Sequence, residues 1–130
     1  MVSLRELLSS SAGIERVMGD VLRVLGIYRR LWLAEIYTEI IGMNRTLDEK
    51  YEPSLQDVRE AVSRLADLGY VVVDERIRAS FGEPSGVEDL LVTLRLDLDG
   101  QRLLVNDDKF RAYQRARYEA YERLKERLNR

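Results

Sequence analysis

The side chains best suited to bind an anion or a base edge lie between residues 54 and 79. Guanidinium groups pair with phosphate, and glutamine and serine form hydrogen bonds with base edges. Six candidates for such contacts occur here: Gln56, Arg59, Ser63, Arg64, Arg76 and Arg78. The same segment also contains five acidic side chains: Asp57, Glu60, Asp67, Asp74 and Glu75. Its net charge of −1 predicts weak background affinity for nucleic acid, because such affinity comes mainly from cation–phosphate contacts.

Two amino acids that support much of enzyme chemistry are missing from the chain. It contains no cysteine and no histidine, which removes disulfides, thiolate nucleophiles, most zinc ligands and the usual general base. Asp97-Leu98-Asp99-Gly100 superficially suggests a calcium loop, but the further ligands of an EF-hand are missing. We therefore expect no enzymatic activity, no metal site and no cofactor.

Composition is typical of a folded domain without a membrane segment. The chain has 130 residues, of which 45% are hydrophobic. Charged residues interrupt every long apolar run, including the N-terminal one, so we expect neither a membrane span nor a secretory signal, and we expect a cytoplasmic protein. Arginine far exceeds lysine, and asparagine and glutamine are scarce. This pattern indicates a thermophilic source or, alternatively, a GC-rich genome.

Apolar spacing and capping residues predict four helices before residue 70. A capping box at Ser3–Glu6 begins a short helix over residues 3–10. An apolar stripe predicts a second helix over 14–26, ended or kinked by Gly26. A third is expected over 31–41, with Gly42 as its left-handed cap and a loop over 42–53. The fourth begins with a capping box at Ser54–Asp57, buries Leu55, Val58, Val62, Leu65 and Leu68, and stops at Gly69.

The remainder of the chain predicts strands and one long helix. A β-branched run predicts a strand over 70–79, a turn over 80–86, and a second strand with Leu90, Val92, Leu94 and Leu96 on one side. Asp99-Gly100 is a hairpin signal, which predicts a third strand over 102–105. Asp107 and Asp108 then open a final helix that runs to residue 130.

This order of elements resembles the winged-helix family. The resemblance covers roughly residues 13–97, and its most specific part is Leu65-Ala66-Asp67-Leu68-Gly69-Tyr70-Val71. It implies an α+β, mainly α fold: a three-helix core roofed by a β-hairpin wing, here with an added N-terminal helix and a long C-terminal one. We expect residues 1–106 to form the winged-helix domain and 107–130 a separate dimerisation element.

The resemblance implies two functions, which the sequence leaves open. In a transcription regulator of this family the third helix of the fold enters the major groove of double-stranded DNA, and the wing touches the backbone. In this chain that helix is the fourth predicted one, which begins at Ser54. The six candidates above would then bind DNA, and the first expectation is a homodimeric DNA-binding regulator. In an assembly module of this family the same surfaces would bind a protein. The 12-residue gap from Gly42 to Pro53 is longer than in a typical helix-turn-helix and fits either function.

The C-terminal helix carries an apolar stripe that predicts an interface between two copies. It also holds eight basic and five acidic residues, a net +3, so the rest of the chain carries −5. A helix this long outreaches a small domain and exposes part of its stripe, which favours a homodimer. Alternatively, the helix packs back on the first helix and frays beyond Leu124, or its basic side chains bind nucleic acid or an acidic partner. The predicted dimer-interface residues are Phe110, Tyr113, Arg117, Tyr121, Leu124 and Leu128.

Overall fold

The computed structural model describes residues 2–129, apart from the side chains of residues 80, 83 and 84. Over this range the fold is α+β and mainly helical, at 62%, with six helices and a three-stranded antiparallel sheet. The elements in chain order are α1 (Leu4–Ser9), α2 (Gly13–Tyr28), β1 (Arg30–Trp32), α3 (Leu33–Thr46), α4 (Leu55–Asp67), β2 (Val71–Ser80), β3 (Glu83–Leu94), α5 (Leu98–Val105) and α6 (Asp108–Leu128).

The predicted helix-to-strand switch at Gly69 is confirmed. Ser54 caps α4 through a reciprocal pair of hydrogen bonds with Asp57, at 3.0 Å each. The helix ends before Gly69, whose φ of +83° suits a residue without a Cβ, and β2 begins two residues later. Val58, Val62 and Leu65 are buried as predicted, whereas Leu55, at the exposed start of the helix, is not. The reversal after α4 therefore sends β2 directly over the core.

The sheet has the order β1-β3-β2 and contains one strand that the sequence pattern did not predict. β2 and β3 form a long antiparallel ribbon, and the three residues of β1 pair with Leu91–Thr93 of β3. The prediction of a helix from Leu31 was wrong at its start. Arg29 has φ +70°, which ends α2, and its carbonyl accepts from the Leu94 N–H at 2.8 Å. From Leu90 towards its tip at residues 81–82, the ribbon consists of β2 and β3, without β1.

One hydrophobic cluster runs through most of the elements, from Leu4 to Tyr113. Val71 and Val92 of the ribbon are buried in it, and Val73, Leu90 and Leu94 pack against it. The base of the ribbon thus packs against the helices through these five side chains. Burial of such side chains contributes about 25 cal/mol per Å² of apolar surface, so the ribbon is an integral part of the core rather than an appendage.

Two glycines that were predicted to end helices lie inside them. α2 continues past Gly26 to Tyr28, and α3 continues past Gly42 to Thr46. A glycine inside a helix costs only about 1 kcal/mol relative to alanine, which packing readily offsets. At Gly26 a Cβ would lie 2.7 Å from the Phe110 ring and 2.8 Å from Leu104. Gly26 is therefore a site of close helix approach and not a helix stop.

The predicted third strand over 102–105 is wrong, because residues 98–105 form α5. The Asp97 carboxylate caps this helix by accepting from the Gly100 N–H at 2.7 Å. Leu104 is buried, and Gly100 sits close to Leu4 of α1. Packing against α1 and α2 thus selects a helix at a sequence that also suits a hairpin turn. Within residues 2–129, no helix is both long enough and apolar enough to cross a membrane.

Candidate nucleic-acid interface

The outward face of α4 is free of contacts that would cover it. Gln56, Arg59 and Ser63 are all exposed, because Val58, Val62 and Leu65 hold the opposite face in the core. Arg64 is exposed too, but its Nε donates to Glu60 Oε1 at 2.9 Å, one turn back. Of the four α4 candidates, Gln56, Arg59 and Ser63 are therefore better placed than Arg64 to contact a ligand.

A groove of about 760 Å³ lies between α4 and the ribbon. It brings together two of the predicted basic residues, Arg59 from α4 and Arg76 from β2. Its apolar part is formed by Ile77, which is 68% exposed, and Leu90. Three carboxylates also line it: Glu75, Glu88 and Asp89. The groove can therefore hold a phosphate between two guanidinium groups, or an apolar side chain beside carboxylates.

The two predicted wing arginines differ in their surroundings. Alternation along β2 predicts that Arg76 and Arg78 share the face opposite to Ile77, yet the two arginines line different grooves. Arg78 donates to Asp89 Oδ2 at 3.0 Å and lines a second groove, beside Trp32 at the start of α3. Arg76 lies opposite Asp89 on the neighbouring strand. It borders the groove between α4 and the ribbon, which we call the α4 groove. The structure thus brings Arg76 to the α4 side and leaves Arg78 facing α3.

The connection between α3 and α4 is shorter than predicted. Since α3 runs to Thr46, eight residues, 47–54, separate the helices. Arg45 forms an ion pair with Glu52 at 2.7 Å, and Lys50 is exposed. The connection therefore presents one exposed cation next to a pair whose charges cancel.

Sequence reasoning missed a charged cluster inside the fold, next to this connection. Asp20 is fully buried and contacts three donors: Arg23 at 2.8 Å, Lys109 at 2.8 Å and Asn44 at 3.1 Å. The Lys109 ammonium also lies 2.7 Å from Asn44 Oδ1 and 2.6 Å from Glu49 Oε2. We call Asp20, Asn44, Glu49 and Lys109 the buried polar node. Its only sequence signal was Asp20 itself, a carboxylate beside the apolar stripe of α2.

Contacts around the node link the ends of distant elements. Arg23 donates to Asp107, the cap of α6, at 2.6 Å. Burial alone would lower the pKa of Arg23, but the Asp107 and Asp20 carboxylates outweigh burial and leave that pKa raised. Tyr51 lies under the Arg16 guanidinium, and burial together with the nearby Asp20 charge raises its pKa to about 12. The contacts of Asp20, Arg23 and Lys109 therefore hold α2, α3 and α6 together, whereas the buried Tyr51 hydroxyl has no hydrogen-bond partner.

The predicted dimer residues divide into two groups along α6. Phe110 and Tyr113 are 1% and 4% exposed because they pack within their own chain, so they are not available to a partner. Tyr113 donates to Glu39 at 2.7 Å, and burial and that hydrogen bond raise its pKa to about 12. Arg117 donates to the Tyr28 hydroxyl at 2.7 Å. The remaining three, Tyr121, Leu124 and Leu128, are exposed.

Comparisons with known proteins add no further information about the site: the chain matches no protein-family model, no curated protein and no solved structure. Within residues 2–129, no group of three or more carboxylates is arranged to hold a metal ion. The arguments about function below therefore depend on the geometry of α4, the ribbon and α6.

Proposed function

We propose that the protein is a winged-helix DNA-binding protein, a transcription regulator in which α4 reads the major groove. The fold-level support is the order of elements: helices α2, α3 and α4 followed at once by the β2–β3 ribbon as wing, with β1 completing the sheet. The observation that carries the proposal is the uncovered face of α4, with Arg59 and Arg76 lining the groove between α4 and the ribbon.

In this proposal each side chain has a distinct role. Gln56 offers an amide that can bind both polar atoms of an adenine edge, and Arg59 can reach guanine or phosphate. Arg76 binds the backbone next to the groove that α4 occupies. Arg64 and Arg78 contribute less, because Glu60 and Asp89 already neutralise them. Two copies would place two α4 helices in successive major grooves.

The small number of available cations predicts a shallow salt dependence. With Arg59 and Arg76 from each of two copies, four phosphates are neutralised. The slope of log K against log salt is then about −4, since each phosphate contact contributes about −0.9. Binding therefore relies on base contacts more than on charge, and affinity for random duplex should be low.

The test is fluorescence anisotropy with duplexes selected from a random pool, at about 50 and about 200 mM salt. We expect Arg59→Ala/Arg76→Ala to weaken binding and to bring the slope close to zero, because it removes all four phosphate contacts that set the slope. The matched control is Arg102→Ala/Arg111→Ala, which removes two exposed arginines remote from the groove and should preserve the affinity. Equal affinities for the wild type and the groove variant would overturn the proposal.

A second function, docking of a protein partner, is favoured by one observation. The ribbon combines exposed Ile77 and fully exposed Phe81 with the carboxylates Glu75 and Glu88, which suits an apolar, basic protein surface better than phosphate. Failure of the selection to enrich any duplex at low salt, with a folded protein, would favour this function.

A further inference from the structure

The outer half of α6 exposes apolar side chains that residues 2–129 leave uncovered. The last side chain that ties α6 to the core is Arg117, through Tyr28 and Glu39. Beyond it, Tyr121, Leu124 and Leu128 are 60%, 51% and 76% exposed. At about 100° per residue these three lie within about 60° of one another. We call the segment 118–128 the tail and these three residues its apolar stripe.

The charges beside the stripe are basic. On the same helical projection Lys125 and Arg127 border the stripe on its two sides. Glu119, Glu122 and Glu126 fall on the opposite half of the helix. Two tails that paired stripe to stripe would bring their lysines and arginines together, and such like-charge contacts are unfavourable. The stripe therefore suits an apolar surface that carries carboxylates.

Such a surface exists on the same chain, between the start of α3 and the ribbon. This groove measures about 620 Å³, and Trp32, Ala34 and Ala79 supply apolar lining. Glu35 and Glu39 supply two carboxylates, and Arg78, whose charge is balanced by Asp89 at 3.0 Å, also lines the groove. Glu39 already contacts the root of α6 through Tyr113, so the groove begins where the packed half of α6 ends. We call it the α3 groove.

The tail of a chain cannot fill the α3 groove of that same chain. α6 is one continuous helix from Asp108 to Leu128, and it is fixed to α2 and α3 through Lys109, Phe110 and Tyr113. A straight helix held in this way carries its tail past the end of the core, and folding back would require breaking the helix. The tail and the groove can therefore meet only between two molecules.

We propose that the tail of each copy occupies the α3 groove of a second copy. Tyr121, Leu124 and Leu128 would cover the Trp32 side of the groove, while Lys125 or Arg127 pairs with Glu35. A two-fold axis makes the exchange reciprocal, so a dimer contains two identical contacts and closes. The two proposals can fail separately, because the α3 groove and the α4 groove have no lining residue in common.

The first test is sedimentation velocity over a range of protein concentrations, without DNA. Lys125→Glu/Arg127→Glu should weaken the dimer roughly a hundredfold, because carboxylates then face Glu35. Arg115→Glu/Arg123→Glu is the matched control, since both residues lie on the half of α6 away from the stripe, and it should leave the dimer unchanged. A monomeric wild type, or a dimer indifferent to the tail variant, would overturn the proposal.

The second test mixes two variants that each fail to dimerise alone. Glu35→Lys places a cation in the groove and should repel a wild-type tail. In a mixture with Lys125→Glu/Arg127→Glu, one contact joins a lysine groove to an acidic tail, and the other keeps the original charges. We therefore expect a mixed dimer and little of either homodimer.

This experiment needs a control for folding, because Glu35 also stabilises the start of α3 by accepting a hydrogen bond from the Trp32 N–H at 3.1 Å. Glu35→Gln keeps that hydrogen bond and removes the charge, so circular dichroism of the two Glu35 variants separates folding from pairing. Failure of the mixed dimer to form from two folded variants would contradict the exchange of tails, even if the protein binds DNA.

Discussion

Replacing Lys109 by methionine should destabilise the protein more than any other single charge removal on α6. The Lys109 ammonium contacts Asp20, Asn44 and Glu49 at 2.6–2.8 Å, and its side chain is only 15% exposed. Removing one partner of a buried ion pair costs about 3–5 kcal/mol, because the other charge stays buried. Since Asp20 retains Arg23 and Asn44, we expect the lower end, about 3 kcal/mol.

The assay is urea unfolding followed by circular dichroism, at neutral pH and a fixed protein concentration. Lys50→Met is the matched control, because Lys50 is exposed on the nearby connection, and it should change stability by less than about 0.5 kcal/mol. Asp20→Asn/Lys109→Met should cost less than the sum of the single changes, since it removes both charges together. A loss below about 1 kcal/mol for Lys109→Met would refute the reasoning, because it would mean that Arg23 and Asn44 alone balance the buried Asp20 charge.

Two further predictions concern the tyrosines and the glycines. The raised pKa values of Tyr51 and Tyr113 favour their protonated forms in the folded state, so their contribution to stability is complete below pH 10.0 and is lost as the pH rises through about 12. Tyr51→Phe/Tyr113→Phe should flatten that decline in urea midpoints, and an equally steep decline would contradict it. Gly26→Ala should lower the melting temperature, because its Cβ would lie 2.7 Å from the Phe110 ring. Gly42→Ala has open space around its Cβ, so it should raise the melting temperature and add up to about 1 kcal/mol to the free energy of unfolding. The same sign for both changes in a thermal melt would reject this distinction.

The part of the fold that the sequence predicts well is the part set by local signals. The Ser54–Asp57 capping box, the stripe of α4 and Gly69 define a helix end and a strand start within a few residues of one another. The strand after Gly69 follows from β-branched residues, but the turn predicted over 80–86 is wrong in its extent, because β2 runs to Ser80 and β3 begins at Glu83. These features need no knowledge of distant contacts, because a cap or a reversal is decided by neighbouring residues.

The errors arise where distant contacts decide between two locally acceptable structures. Three residues of β1 carry no usable periodicity, and only their pairing with β3 makes them a strand. Asp99-Gly100 suits a hairpin turn and also the first turn of a helix, and the burial of Leu104 selects the helix. Gly26 was predicted to end or kink the second helix, because the sequence does not reveal its close contact with Phe110, which lies 84 residues further along the chain.

The candidate site was predicted in its residues but not in its geometry. Alternation predicted that Arg76 and Arg78 share a face, yet it could not reveal that they line different grooves, that Asp89 neutralises Arg78 or that Arg59 shares a groove with Arg76. The buried polar node was beyond prediction, since its four side chains come from three helices and a loop. On α6 one apolar stripe in the sequence contains residues that pack in the core and residues that are exposed. Only the packing of the helix on the domain distinguishes the two groups.

The position of Trp32 has a practical consequence. It is the one tryptophan of the chain, it lies at the junction of β1 and α3, and it lines the α3 groove. Its indole is only partly buried, so its fluorescence emission responds to whatever enters that groove. The chain thus contains its own optical reporter: a blue shift on raising the protein concentration would follow occupancy of the groove without any label.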